Sequence, residues 1–204
     1  MTAALAGLLF GAAVGSIPFA WLLHRVATGR DLRGEGSGNP GATNLERSAG
    51  SGLGLAALAL DAGKGALAVF GAAALAGEAA RLPAALGAVL GHVFTPWLRG
   101  RGGKGVATAA GAFAVLAPAA TALALAVFAL VVAVTRFVSL GSVSGAAALP
   151  FAILVCGPGG REAGAAAAIG LLVAWRHRGN FARMRAGSEP RVRWRARPVG
   201  SERR

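Results

Sequence analysis

Apolar residues fall along the chain in six blocks, at 3–23, 52–76, 82–98, 105–135, 138–157 and about 158–175, separated by polar connections. The blocks carry few charges and approach the roughly 20 residues that a bilayer-spanning helix needs, so the pattern predicts membrane helices. Block 105–135 would be about 46 Å long as one helix. Pro118, in "AVLAPAATALA", predicts a break there into two short helices that go out and return. The count becomes seven. The N-terminal run lacks the basic segment of a signal peptide and reads as a retained first span.

Basic residues orient these spans. Connection 24–50 carries Arg25, Arg30, Arg33 and Arg47, and connection 99–104 carries Arg99, Arg101 and Lys104. Arg136 follows the long block, and the connections near 77–81 and 157–162 hold one arginine each beside an acid. The expected fold is an all-α integral membrane protein of seven transmembrane helices, two of them short, with the N-terminus outside and the C-terminus cytoplasmic. Residues 1–190 form one polytopic domain and 191–204 a basic tail.

Composition agrees. Of 204 residues, 55% are hydrophobic and 14% charged, whereas a soluble domain holds about 45–50% apolar and about 25% charged residues. Mean hydropathy is +0.59. Alanine and 32 glycines suit helices that pack backbone to backbone. Ten of the 21 basic residues lie from Arg176 onward, which reads as positive-inside topology and attraction to anionic membrane lipid, not as a nucleic-acid surface. The single cysteine, Cys156, excludes an internal disulfide and is expected to be a small buried apolar residue.

Polar groups stand out against this background. Asp61 and Lys64 are three apart on one helix face and predict a mutually neutralising structural pair. Four polar clusters, 36–47, 99–108, 136–145 and 176–190, fall on one side of the membrane. The second sets three glycines around Lys104 before a helix start, so that backbone N–H groups and the helix dipole can converge on an anion. Together the clusters predict a phosphate-binding pocket at the cytoplasmic interface.

Two motif matches fail on context. "GSGNPG" at 36–41 fits a dinucleotide fingerprint, but no strand precedes it. "GGKG" resembles a P-loop, but Leu98 and Gly105 stand where glycine and Ser or Thr are required. The fifth residue after His24, His92 and His177 is Gly29, Trp97 and Ala182, which excludes the His-x-x-x-x-Asp acyltransferase signature. His92 reads as structural or interfacial. His177 is better placed to meet a phosphate, and its flanking Arg176 and Arg178 are expected to lower its pKa.

The strings "DLRGEGSGNPGATNLERSAG", "LDAGKGAL", "GHVFTPWLRGRGGKGVATAAG", "RFVSLGSVSG" and "RHRGNFARMRAGSEP" closely resemble the PlsY family over residues 15–190. These are bacterial inner-membrane acyl-phosphate:glycerol-3-phosphate acyltransferases. The resemblance implies seven helices, a site facing the cytoplasm, and transfer of a fatty acyl group from acyl phosphate to the 1-hydroxyl of glycerol 3-phosphate. The product is lysophosphatidic acid, in the first acylation step of phospholipid synthesis, with no metal, cofactor or acyl-CoA. An upstream acyl-phosphate-forming enzyme is a candidate partner. Carried over by position, Lys104, Arg47 and His177 form the catalytic set. Ser37, Asn39, Thr43, Asn44, Thr108, Ser142 and Asn180 are the substrate-binding residues. Two positions depart from the family: Gly179 stands where Glu is common, and Pro40 replaces a small or branched apolar residue.

No Ser–His–acid set and no paired carboxylates occur in the motifs, so direct transfer without an acyl-enzyme is expected, with either a substrate phosphate or His177 as the base. The alternative from another class is a membrane transporter of phosphate or organic anions. That reading calls for inverted repeats and a midplane site, and no internal repeat is visible.

Overall fold

The computed structural model describes residues 2–192, and the regular structure among them is entirely helical. Helices α1 (Ala3–Gly15) and α2 (Phe19–Thr28) are one apolar stretch interrupted at residues 16–18. Pro18 causes the interruption, because its ring clashes with the preceding helical turn and it has no N–H to donate. The freed carbonyls are recaptured from other elements: Ser16 accepts from Thr95 Oγ1 at 2.5 Å and Ile17 from Lys64 Nζ at 2.6 Å.

The polar segment expected as a connection over 24–50 is more ordered than its composition suggests. It contains the end of α2, a 3₁₀ turn (Leu32–Gly34) and the eight-residue helix α3 (Ala42–Ala49). Leu45 on α3 is fully buried with Leu32, Ala20 and Ala57, and this small cluster fastens the segment to the membrane helices.

Helix α4 (Ser51–Ala76) is central and packs on α1, α3, α5 and α6. A 3₁₀ turn (Glu78–Ala80) leads into α5 (Arg81–Val93), and another (Pro96–Leu98) leaves it. The break at Pro118 occurs, but it divides the block unequally into α6 (Val106–Leu116, 11 residues) and α7 (Pro118–Thr135, 18 residues). The two legs diverge: α6 packs mainly on α4, α7 mainly on α8 (Val138–Cys156). Helices α9 (Gly160–Arg176) and α10 (Arg178–Arg185) complete the fold. Among the described residues, four stretches are long and apolar enough to cross a membrane: 3–28, 51–76, 118–135 and 138–156. The protein is a multi-pass membrane protein. Of the basic tail only Arg191 and Val192 are described, and positions 193–204 lie outside the described residues.

The packing is built from small residues. Gly7, Gly11 and Gly15, one turn apart on α1, lie directly against the carbonyls of Ala80, Ala84 and Ala88, and a Cβ at any of the three would collide with backbone. Such contact suits lipid, where dispersion and close backbone approach, not hydrophobicity, hold helices together. Large side chains point outward instead: Val155 is 84% exposed, Leu75 72% and Phe151 70%. Cys156 follows the same rule and is exposed, contrary to the buried position expected for it. In a lipid-facing helix an apolar run marks the outer surface as readily as the core.

The seam between α1 and α5 yields a test. Gly11→Leu forces a side chain into backbone, and overpacking of this kind costs roughly 1–3 kcal/mol or more. Its thermal unfolding midpoint in detergent should fall by several degrees, while Leu9→Ala on the exposed face of α1 should change little. Equal midpoints would rule out the seam as a stabilising contact.

Candidate active site

All four polar clusters meet around one cavity of about 240 Å³. The first cluster reaches it through α3 and the preceding loop, with Ser37, Asn39, Thr43, Asn44 and Arg47. The second contributes Lys104 and the first turn of α6, residues 105–107, whose N–H groups have no side-chain cap. Ser139 and Ser142 come from α8, and His177, Asn180 and Glu189 from the α9–α10 junction and beyond. Of the ten expected site residues, Thr108 alone is not in the lining: it is fully buried, with its carbonyl against Gly65 of α4.

Asn44 lines the cavity, but its amide is occupied within the loop. Its oxygen accepts from the Ser37 N–H (2.9 Å), and its nitrogen donates to the carbonyls of Glu35 (3.0 Å) and Leu32 (3.3 Å). It therefore shapes the loop that presents Ser37, whose hydroxyl is left free among the described residues. Ser142 Oγ donates to Val138 O at 2.8 Å and keeps its lone pairs for the cavity. Arg47 is exposed at the rim and donates to Pro190 O at 3.5 Å.

Lys104 Nζ donates to Asn180 Oδ1 at 2.5 Å. Burial lowers its pKa to about 8, Glu189 opposes this, and Arg183, Arg47 and Arg176 add to it. An ammonium surrounded by further cations and partly cut off from water is a strong point of attraction for a doubly charged anion.

His177 is buried, and its Nδ1 lies 2.8 Å from Val173 O. A carbonyl only accepts, so Nδ1 carries the proton and Nε2 holds a free lone pair. The pKa is lowered to about 4, first by burial and next by Lys104. The direction agrees with expectation, but the cause does not. Arg176 contributes last among the causes, and Arg178 is exposed, stacked 4.4 Å over Trp175.

Glu189 was not anticipated. It is 7% exposed; Oε1 accepts from Asn180 Nδ2 (2.6 Å) and Ser139 Oγ (2.9 Å), and Oε2 from Arg183 Nε (2.9 Å). Burial works against its charge, but hydrogen bonds from Asn180, Ser139 and Arg183 outweigh it and hold the carboxyl below the ordinary glutamate range. Because Glu189 takes the NH₂ of Asn180, the amide oxygen must face Lys104. Its sequence signal was an acid among many arginines, which reads as a solvated surface group.

The Asp61–Lys64 pair forms, with Nζ 2.8 Å from Oδ1, and His92 Nδ1 joins at 3.6 Å from the same oxygen. The His92 ring lies directly beneath Gly103, where a Cβ would strike Nε2, so the turn before Lys104 rests on this buried group.

The profile of the glycerol-3-phosphate acyltransferase family matches residues 5–187. The chain belongs to that family. The glycerol-3-phosphate acyltransferase of Myxococcus xanthus (strain DK1622) is 45% identical over 193 residues, 94% of this chain and 100% of that protein. The one from Syntrophotalea carbinolica (strain DSM 2380 / NBRC 103641 / GraBd1) is 46% identical over 184 residues, 88% and 93% of the two chains. The crystal structure of PlsY, an integral membrane glycerol 3-phosphate acyltransferase, in its glycerol 3-phosphate form superposes with a TM-score of 0.86 at 33% identity. That match covers 93% of this chain and 96% of that one. Its lysophosphatidic acid form gives 0.81 at 31% identity, covering 93% and 95%.

Within this acyltransferase fold the two departures are explicable. Gly179 is exposed and does not line the cavity, so an acid there would sit beside Arg183 and not at the reacting groups. Pro40 is buried near Pro18, Phe19 and Asp61, where a rigid residue closes the loop over the buried group.

Glu189 accepts three donors, and an amide in its place would offer a donor where only donors converge. Glu189→Gln should therefore release Asn180 and lower activity roughly tenfold or more, as for a buried polar group left unsatisfied at about 1–3 kcal/mol. Unchanged turnover in a purified-enzyme assay would show that Asn180 needs no such partner.

Proposed function

We propose that the protein transfers a fatty acyl group from acyl phosphate to the 1-hydroxyl of glycerol 3-phosphate, releasing lysophosphatidic acid and inorganic phosphate. The observation that carries this reading is the junction of two unlike spaces. The cationic cavity shares Val106, Ala110, Leu125, Phe128 and Ser142 with an apolar groove between α6, α7, α8 and α9, walled further by Ala124, Leu149, Ile169 and Val173. An amphiphilic donor with an anionic head and a hydrocarbon tail suits that shape. A hydrated anion in transit would find nothing in the groove.

Acyl phosphate is a mixed anhydride with an activated carbonyl, so the protein's task is positioning, charge stabilisation and placement of one proton. The glycerol oxygen attacks the carbonyl carbon, the carbon–oxygen bond to phosphate breaks, and the hydroxyl proton passes to a phosphate oxygen. Lys104 and Arg47 offset the charge that gathers on the departing phosphate. His177, lowered to about 4, is a weaker base than a phosphate monoester with its second pKa of about 6. Its Nε2 lone pair accepts a hydrogen bond from the substrate, and the phosphate takes the proton. Ser37, Asn39, Thr43, Ser142 and Asn180 supply directional contacts.

Purified protein given palmitoyl phosphate and glycerol 3-phosphate should form lysophosphatidic acid, and Arg47→Ala or Lys104→Ala should lower the rate about 10²-fold or more. Since Lys104 must be charged and its pKa is lowered to about 8, kcat/KM should fall as pH rises through that value. Lys104→Arg, which stays charged, should lose this alkaline limb. His177→Asn should retain appreciable activity. Complete loss with glycerol 3-phosphate still binding would assign the proton to His177, and an acyl-enzyme trapped by rapid quench would defeat direct transfer.

The proposed path has seven spans in the bacterial inner membrane, with the N-terminus outside and the cationic cavity at the cytoplasmic face, as the arginine-rich connections require. A cysteine at Ser51, in a Cys156→Ser background, should resist an impermeant thiol reagent in intact cells. Labelling from outside would reverse the orientation.

A further inference from the structure

Beside the reaction cavity lies a second, open basin of about 890 Å³. Arg33, Arg99, Arg101 and Arg176 face it, with Trp97 at its edge. Asn39 lines both spaces, and Gly102, at the edge of the basin, is two residues before Lys104, so the partition between them is the substrate loop and the glycine turn.

The basin's charge is largely uncompensated. Arg33 is paired with Asp31 at 2.6 Å. Arg99 and Arg101 are exposed and make no side-chain hydrogen bond or ion pair among the described residues. Arg176 donates to Gly102 O at 2.7 Å, and its Nε is buried without a partner. Three cations thus crowd one concavity, and among the described residues the one acid in its lining, Asp31, is already taken by Arg33. Arginines placed only to face the cytoplasm would spread over the surface. These converge beside the turn that carries Lys104, and Arg176 acts electrostatically on both spaces.

We propose that this basin is a landing site for a phosphate monoester, where glycerol 3-phosphate is collected from the cytoplasm before it passes Asn39 to reach Lys104 and Arg47. The inference rests on the acyl-transfer reading above. A concavity of this size is in the range of small-molecule sites, and clefts lined by one sign of charge raise the local concentration and on-rate of oppositely charged ligands by roughly 10–10³-fold, an effect that salt suppresses. Arg99 adopts φ 54°, in the left-handed region, which directs its side chain from a turn residue that asparagine could replace with little strain. Phosphate on a lipid headgroup shares the same chemistry, and Trp97, 70% exposed, sets the basin near the level of the membrane surface.

The test combines Arg99→Asn with Arg101→Gln, two exposed positions outside the reaction cavity, with Arg161→Gln as a charge control at the far end of α9. In neutral phosphatidylcholine nanodiscs at low ionic strength, the double variant should keep kcat within about twofold and lose about tenfold in kcat/KM for glycerol 3-phosphate. KM for palmitoyl phosphate should hold, and the deficit should vanish at high salt. The Arg161 variant should behave as wild type. Equal kcat/KM for wild type and double variant at low salt would overturn the proposal. So would a defect that appears only when phosphatidylglycerol is added, which would assign the basin to a lipid headgroup. A wild-type protein that forms no lysophosphatidic acid would instead sink the underlying acyl-transfer reading.

Discussion

A single buried lysine connects the membrane fold to its polar site. Lys64 donates to the carbonyl of Ile17, which at the break before Pro18 has only a tight-turn bond from the Phe19 N–H at 3.2 Å, and it lies 2.8 Å from Asp61. In a surrounding without water an unused carbonyl costs several kcal/mol, so the α1–α2 break and the α4 ion pair are two halves of one solution. Asp61 in turn faces His92, and the His92 ring supports Gly103, next to Lys104. Each group in this line answers a local need for a partner. The line ends at the ammonium that the proposed chemistry uses.

Around that ammonium the charges are arranged to remain unsatisfied. Glu189 is the acid that hydrogen-bonds Asn180, Ser139 and Arg183, and its oxygens are taken up by them. It fixes the amide that faces Lys104 without reaching Lys104 in a direct ion pair. On the proposed reading two cations stay available for incoming phosphates, Lys104 sunk in the wall and Arg47 at the rim. A carboxylate bonded directly to Lys104 would make the free protein more comfortable and the bound phosphate less so. Leaving the charge short of partners is the condition for strong anion binding.

Much of this was legible in the chain. The apolar blocks, the break at Pro118 and the four polar clusters all appear in the fold, because lipid forces backbone groups into helices and forces polar groups to gather. What escaped detection has a common origin in long-range contact. Helix α3 owes its place to Leu45 settling among Leu32, Ala20 and Ala57, which no local pattern announces. Glu189 lies just beyond α10, and only the folded chain brings its carboxylate to Asn180, Ser139 and Arg183. Thr108 sits among motif residues but one turn beyond Lys104, fully buried where the α6 backbone lies against Gly65 of α4. Cys156 was misplaced because an apolar neighbourhood has two meanings beside lipid, and hydropathy alone does not separate the core from the outer face.

The boundary between the two cavities explains why the reaction needs a membrane fold. On the proposed reading, an acyl phosphate brings its tail from the bilayer and glycerol 3-phosphate comes from the cytoplasm, so the carbonyl that joins them must stand where the apolar groove meets the cationic cavity. Ser142, Val106 and Phe128 line both spaces and mark that plane. Val106 begins α6 just beyond Lys104, and α6 is held against α4. The shortness of α6 follows from this placement. On the same reading, an 11-residue helix ending before Pro118 keeps its first turn at the cationic cavity and its flank on the apolar groove.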